Sequence, residues 1–198
     1  MLFRSVNHEI RKKGDDFPID AIPRTPPNKA GHFFRGWGYE NTDTSPTFTI
    51  GCFDMDKIEN DITVYAVYRK LSEIPLNGSG NVYVMPKNEP TGELVLEVKA
   101  KNSTGDMRIQ REKWIEMAKW FAAYESYGTV GWSLYASGVQ ITISFHASVK
   151  APSNMKYMFN NFDGNIVGLD KLDVSEVTDA SASFNGVEGE VRGADFRN

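Results

Sequence analysis

Five residues recur at one fixed offset near the end of the chain. Phe159-Asn160 returns as Phe184-Asn185, Gly164 as Gly189, Gly168 as Gly193 and Asp170 as Asp195, a period of 25 residues, with Val167 answered by Arg192 as a mismatch. This self-similarity restricts the fold strongly, because one such unit cannot bury its apolar side chains alone and must stack on a neighbour. For residues 151–198 the expectation is an incomplete repeat segment of solenoid type. Each unit would be a short strand, a corner opened by glycine and a polar return. Fewer than two units are seen, whereas about three make a self-sufficient stack. The missing burial must come from the middle of the chain or from another subunit, so self-association is an expected partner relation.

Bulk composition narrows the function classes. Among 198 residues, 22 Lys and Arg stand against 26 Asp and Glu, for a formal charge of -4. Clustered positive charge is what holds phosphates, so nucleic acid is not expected as a partner. No window reaches the roughly 18 apolar residues that cross a bilayer, so membrane insertion is not expected either. Cys52 is the only cysteine, which leaves no disulfide framework and no Cys-based zinc site within one chain. His8, His32 and His146 fall in three different regions. No catalytic residue, metal site or cofactor is assigned. The opening Met1 to Glu9 lacks the apolar core of a secretory signal, so synthesis as a soluble cytoplasmic product is expected.

Residues 1–70 read as a small β-rich module. The run Pro18 to Pro27 should cross it as an extended connector, because proline lacks a donor and fixes φ. Gly31 permits a turn, His32-Phe33-Phe34 starts a strand, and Gly36 and Gly38 give the backbone around Trp37 room to kink. Ile62, Val64 and Ala66 alternate with Thr63, Tyr65 and Val67, the period of a strand. The order Pro27-x-Lys29-x-Gly31-His32-x-Phe34-x-Gly36-Trp37, followed by Asp61 to Tyr68, resembles the internalin B-type (Listeria–Bacteroides) repeat. That family is a β-grasp-like module of bacterial surface proteins and some phage proteins. The resemblance implies a spacer or adhesive module without catalytic residues. The usual closing Lys-Trp is replaced here by Val67-Tyr68. The acidic run Asp54 to Asp61 places Glu59 and Tyr65 where a calcium loop of EF-hand type needs Gly and Glu, so it reads as a solvated loop.

Residues 71–80, rich in Pro, Gly, Asn and Ser, read as a linker, and 81–150 as an α+β middle domain. Strands are expected at 81–85 and 93–100. A helix should follow, with Asp106 as N-cap, Trp114, Met117, Ala118, Phe121 and Tyr124 on one stripe, and Gly128 as its stop. Trp132 to Ser137 and Val139 to Val149 are expected to close a hairpin, giving a helix laid on an antiparallel sheet. Trp114, Trp120, Phe121, Tyr124 and Tyr127 fit two roles, a core-plus-interface stripe or a sugar-stacking platform, and the first is the simpler. His146 lies on the polar side of its strand with no Ser, Cys or paired carboxylate at a known motif spacing.

The wording Asn154-Met-Lys-Tyr-Met-Phe159 followed by Leu169-Asp-Lys-Leu-Asp-Val-Ser-Glu-Val-Thr178 resembles the BspA-like leucine-rich-type surface repeat. In the second copy Ala180-Ser-Ala-Ser183 replaces the Met and Tyr positions, which interrupts a continuous apolar ladder. A calcium role for Asn161, Asp163 and Asn165 lacks the terminal bidentate Glu.

The expected class is therefore α+β and β-rich: a β-grasp-like module, a helix-on-antiparallel-sheet unit and a short incomplete solenoid-like repeat. The expected function is a non-enzymatic structural or adhesive surface protein. A phage virion component comes first, whether capsid decoration, head fibre or tail, made in the host cytoplasm and displayed on the virion surface. The alternative is a bacterial cell-surface adhesin or a fragment of one, and a carboxylate-dependent glycan-active enzyme ranks below both. Partners would be further copies, other virion or surface proteins, and a host-surface glycan. Trp120, Tyr127, Tyr157, Phe159 and Phe184 are the candidate interaction surface.

Overall fold

In the computed structural model the described residues are 29–38, 65–89, 92–121, 123–126, 129–132 and 140–193. Two units divide the chain at Lys70/Leu71, the second holding residues 71–134 and 139–198. Among the described residues the fold is mostly sheet with one α-helix, a β-rich α+β class whose main sheet is mixed and not closed into a barrel.

In the first unit, β1 (His32–Gly38) pairs antiparallel with β2 (Tyr65–Lys70). The turn before β1 closes through the His32 amide on the Lys29 carbonyl at 3.0 Å, with Gly31 left-handed at φ 67°. The register slips by one residue between Phe34 and Gly36, a bulge next to Trp37. Phe33, Phe34 and Val67 are buried, and Phe34 meets Tyr68 edge-on at 5.7 Å. The proline run, the Asp54–Asp61 loop and the first half of the second expected strand lie outside the described residues.

The second unit is built on a five-stranded sheet in the order β10-β8-β5-β4-β3. Its strands are β3 (Ile74–Pro75), β4 (Val82–Asn88), β5 (Leu94–Ala100), β8 (Ile141–Phe145) and β10 (Asn165–Val167). β3, β4 and β5 run antiparallel in succession; β8 then joins β5 in parallel, and β10 joins β8 in parallel. Residues of one parity, among them Val84, Leu96, Val98, Ile143, Phe145 and Ile166, are buried on one face. α1 (Arg111–Trp120) covers that face, its Trp114 ring stacked on Phe145 at 6.5 Å.

This corrects two expectations. β8 has no hairpin partner, because both of its edges are occupied in parallel by β5 and β10, and the expected turn at Ser137-Gly138 lies outside the described residues. Trp132 closes a different antiparallel pair, β6 (Ala123–Ser126) with β7 (Thr129–Trp132). The helix also starts later than expected, after Gln110 rather than Asp106, and ends at Trp120, so Tyr124 lies in β6. The residues before it are held extended: Ile109 donates to the Lys150 carbonyl, Lys150 to that of Met107, and Gln110 to that of Leu76. Asp106 instead accepts the Arg108 amide on its side chain.

Residues 71–80 do more than connect. They carry β3, and Leu76 and Asn77 are buried. Asn77 and Asn81 both donate from their side-chain amides to the Asp106 carbonyl, at 2.8 and 3.1 Å. Gly80, left-handed at φ 67°, closes the turn on the Asn77 carbonyl.

Residues beyond 150 continue the same unit. A second parallel ladder links Arg108 to Lys150, and β9 (Val149–Lys150) to β11 (Leu172–Asp173). The repeat then stacks on itself in parallel, through bridges Asn154↔Asp179 and Ile166↔Val191, each 25 residues apart. An inner turn (154–168) is thus overlaid by an outer turn (179–193). Met155, Tyr157, Phe159, Asn161 and Ile166 donate their amides to the carbonyls of Asp179, Ser181, Ser183, Asn185 and Glu190.

Candidate functional site

The repeat meets the α+β body in an aromatic cluster. Trp114 comes from α1, Trp132 from the end of β7, Phe145 from β8, and Phe159 and Phe162 from the inner turn, all fully buried. Trp114 meets Phe159 edge-on at 5.4 Å, and Trp132 meets Phe162 at 5.0 Å. Both indoles donate to one acceptor, the Met158 carbonyl, at 3.0 and 3.2 Å. A buried indole N–H without an acceptor is costly, so two elements of the body are committed to one point of the repeat. Nearby, Arg111 reaches the Lys156 carbonyl at 2.7 Å. Glu176 receives both Lys150 and Arg108, whose hydrogen bonds and charge hold its carboxyl below the ordinary range.

This changes the meaning of the expected interaction residues. Phe159 presents no surface: it is a core residue, stacked on Phe184 at 5.1 Å. Phe184, Trp120 and Tyr157 are half-buried, and Tyr127 lies outside the described residues. Tyr157 is left-handed at φ 60°, with the Lys156 ammonium 5.2 Å from its ring centre. The structure therefore joins Phe159 and Phe184 in one stack, while Tyr157 sits on the same turn.

The opposite face of the sheet mixes apolar side chains such as Met85, Val95 and Val167 with polar ones, and it holds a polar cluster that no catalytic motif spacing pointed to. On β8 and just beyond it, Ser144 and His146 project to the same side, and the Ser144 hydroxyl lies 3.0 Å from His146 Nε2. Glu97, opposite Ser144 on β5, places Oε1 3.9 Å from that same nitrogen. Its carboxyl is held low, first by the Lys99 hydrogen bond and further by the positive charge of Lys99 and Lys87. The signal was available as i, i+2 spacing on a strand, but the carboxylate comes from another strand. Ser, His and Glu here do not form a catalytic triad: serine and carboxylate meet one ring nitrogen, whereas a triad needs the carboxylate on the other. A neighbouring pair joins Thr142 to Glu93.

Among the described residues no three His, Cys, Asp or Glu side chains are grouped to hold a metal. Asn165, considered for calcium, instead accepts the Glu190 amide at 3.1 Å. No helix among the described residues is long and apolar enough to cross a membrane. No family model, curated protein or solved structure matches the chain.

Proposed function

We propose that the protein is a non-enzymatic structural and adhesive component displayed on a surface, with a phage particle as the first candidate and a bacterial cell envelope as the second. In this reading residues 1–70 form a β-grasp-like display module. The helix-covered sheet is a body, and the stacked turns are the start of a solenoid attached to it. The observation that carries the reading is the double indole clamp on the Met158 carbonyl. Large aromatic side chains, the usual resource of a binding cleft, are spent on fixing the repeat rigidly to the body. That suits a part whose task is to hold shape and present surfaces. Its partners would be other subunits of the same particle or envelope, and a host-surface glycan.

Mass spectrometry of purified phage particles from the source strain tests the first candidate, which requires the chain in near-stoichiometric amount in the particles. Protease shaving of intact cells without phage tests the second. Absence from both preparations overturns the surface reading.

A further inference from the structure

Residues 76–82 turn tightly around one side chain. Asn77 is 1% exposed, and both polar atoms of its amide are engaged. Its Nδ2 donates to the Asp106 carbonyl at 2.8 Å, and its Oδ1 accepts from the Ser79 hydroxyl at 3.0 Å and the Val82 amide at 3.4 Å. The Asn77 carbonyl accepts the Gly80 amide at 3.1 Å. Just before it, Leu76 donates to the Val82 carbonyl at 2.7 Å and accepts the Gln110 amide at 2.8 Å, so the same turn sets the entry to α1.

The residue that follows is Gly78, and it is exposed. Asparagine before glycine is prone to self-attack, because no side chain on the glycine shields its amide nitrogen from the asparagine side-chain carbonyl. The attack needs the Asn77 side chain to leave Asp106, Ser79 and Val82 and to fold back over the Gly78 nitrogen. In the native turn all three hydrogen bonds oppose that movement. The products cannot rebuild the cage. An aspartate at 77 has no proton to donate to the Asp106 carbonyl and would bury a charge. An isoaspartate adds a backbone carbon between 77 and 78, which displaces the Gly80 amide from its acceptor.

We propose that Asn77–Gly78 is a self-modification site that the fold holds silent and that local opening of the 76–82 turn makes irreversible. The Gly78 nitrogen bonds to the Asn77 side-chain carbonyl carbon, the bond from that carbon to Nδ2 breaks, and Nδ2 leaves as ammonia with the Gly78 amide proton. Water then opens the resulting succinimide at either carbonyl, leaving aspartate or isoaspartate. Because Leu76 holds Gln110, a modified turn no longer fixes the start of α1, and a transient opening becomes a permanent one.

The test incubates the full chain in mildly alkaline buffer, folded and in urea, with peptide mapping by mass spectrometry. Asn185–Gly186, the same pair elsewhere in the chain, gives the reference rate for the unfolded state. Asn77 should convert at about the reference rate in urea and about a hundredfold more slowly when folded. Ser79→Ala removes one hydrogen bond from the cage and should speed conversion in the folded chain about tenfold. Gly78→Ala fits the fold, since its Cβ would meet Gln110 at an ordinary 3.7 Å, and should slow conversion in urea about tenfold or more. After dilution from urea, unmodified chains and Gly78→Ala should recover amide protection at Gly80 and Gln110, and modified chains should not. Equal rates in folded and unfolded chains, no effect of Ser79→Ala, or recovered protection in modified chains would overturn the proposal.

Discussion

The inner and outer turns are two copies of one pattern in two environments. In the inner turn Met155, Met158, Phe159, Phe162 and Ile166 are all buried against the body or the outer turn. In the outer turn the matching positions are Ala180, Ser183, Phe184, Val187 and Val191, of which only Ser183 is buried. Ser183 remains inside because its hydroxyl shares its one proton between the carbonyls of Met155 and Ala180, each at 2.8 Å. The conserved element of the repeat is thus the backbone path, fixed by glycine and left-handed corners. The side chains adjust to what each copy touches. A weak sequence repeat still gives a strict structural one, because the path tolerates little change and the side chains tolerate much.

The largest effect that separates the two turns should come from their phenylalanines. Phe159→Ala leaves a cavity beside Trp114 and Phe145 and should cost about 3–5 kcal/mol in denaturant unfolding. Phe184→Ala, on a half-buried ring, should cost roughly 1–2 kcal/mol. Equal losses would contradict the inner–outer distinction.

Glycines sharpen the comparison in the other direction. A Cβ on Gly164 would collide with the Ile141 carbonyl, and one on Gly189 would collide with the Gly164 carbonyl. Both face the level beneath them, so exposure gives the outer turn no relief. Gly164→Ala should destabilise the unit by about 1–3 kcal/mol. Gly189→Ala should detach the outer turn alone, read as faster amide exchange at Met155 and Ile166 with the core strands unchanged.

A smaller effect belongs to the indole clamp. Trp132→Phe keeps a ring against Phe162 but removes one of two donors to Met158. The loss should be about 1–2 kcal/mol, from one hydrogen bond and a reduced ring.

The smallest is electrostatic. Glu176 is exposed, and its carboxyl is held low by Lys150 and Arg108. A depressed folded-state pKa gives stability above the unfolded carboxylate value, about 4.3, that is lost as pH falls through the folded value. The Tm of Glu176→Gln should therefore lie slightly below that of the parent at neutral pH and merge with it in acid. Salt should shrink the gap.

Much of the path was legible in the sequence, and for identifiable reasons. The 25-residue offset became real stacking because Gly164 and Gly189 answer a close approach that any side chain would block. β5 and the buried stripe Trp114, Met117, Ala118 followed from period two and period 3.6. Pairing partners were not legible. Alternation in Ile141–Phe145 marks a strand but carries no information on whether its neighbour is parallel, and here two parallel neighbours replaced the expected hairpin. The helix start was missed because tertiary hydrogen bonds hold 107–110 extended, overriding a good N-cap residue at Asp106. Residues 71–80 have the composition of a linker, yet two asparagines make it part of the core by meeting one carbonyl. Among the interaction residues, Phe159 was misplaced because an aromatic on a repeat reads alike whether it faces solvent or a neighbouring tryptophan.

Native-state hydrogen exchange tests most directly the central claim that the inner turn is an integral part of the body's core. The Trp132 amide, bonded at 3.1 Å to the Asn160 carbonyl of the inner turn over a buried aromatic cluster, should open far less readily than an exposed loop. Phe159→Ala should accelerate it together with core amides such as Ile143. Exchange of Trp132 at loop rates, with Ile143 still protected, would show that the inner turn folds apart from the body and would contradict the account.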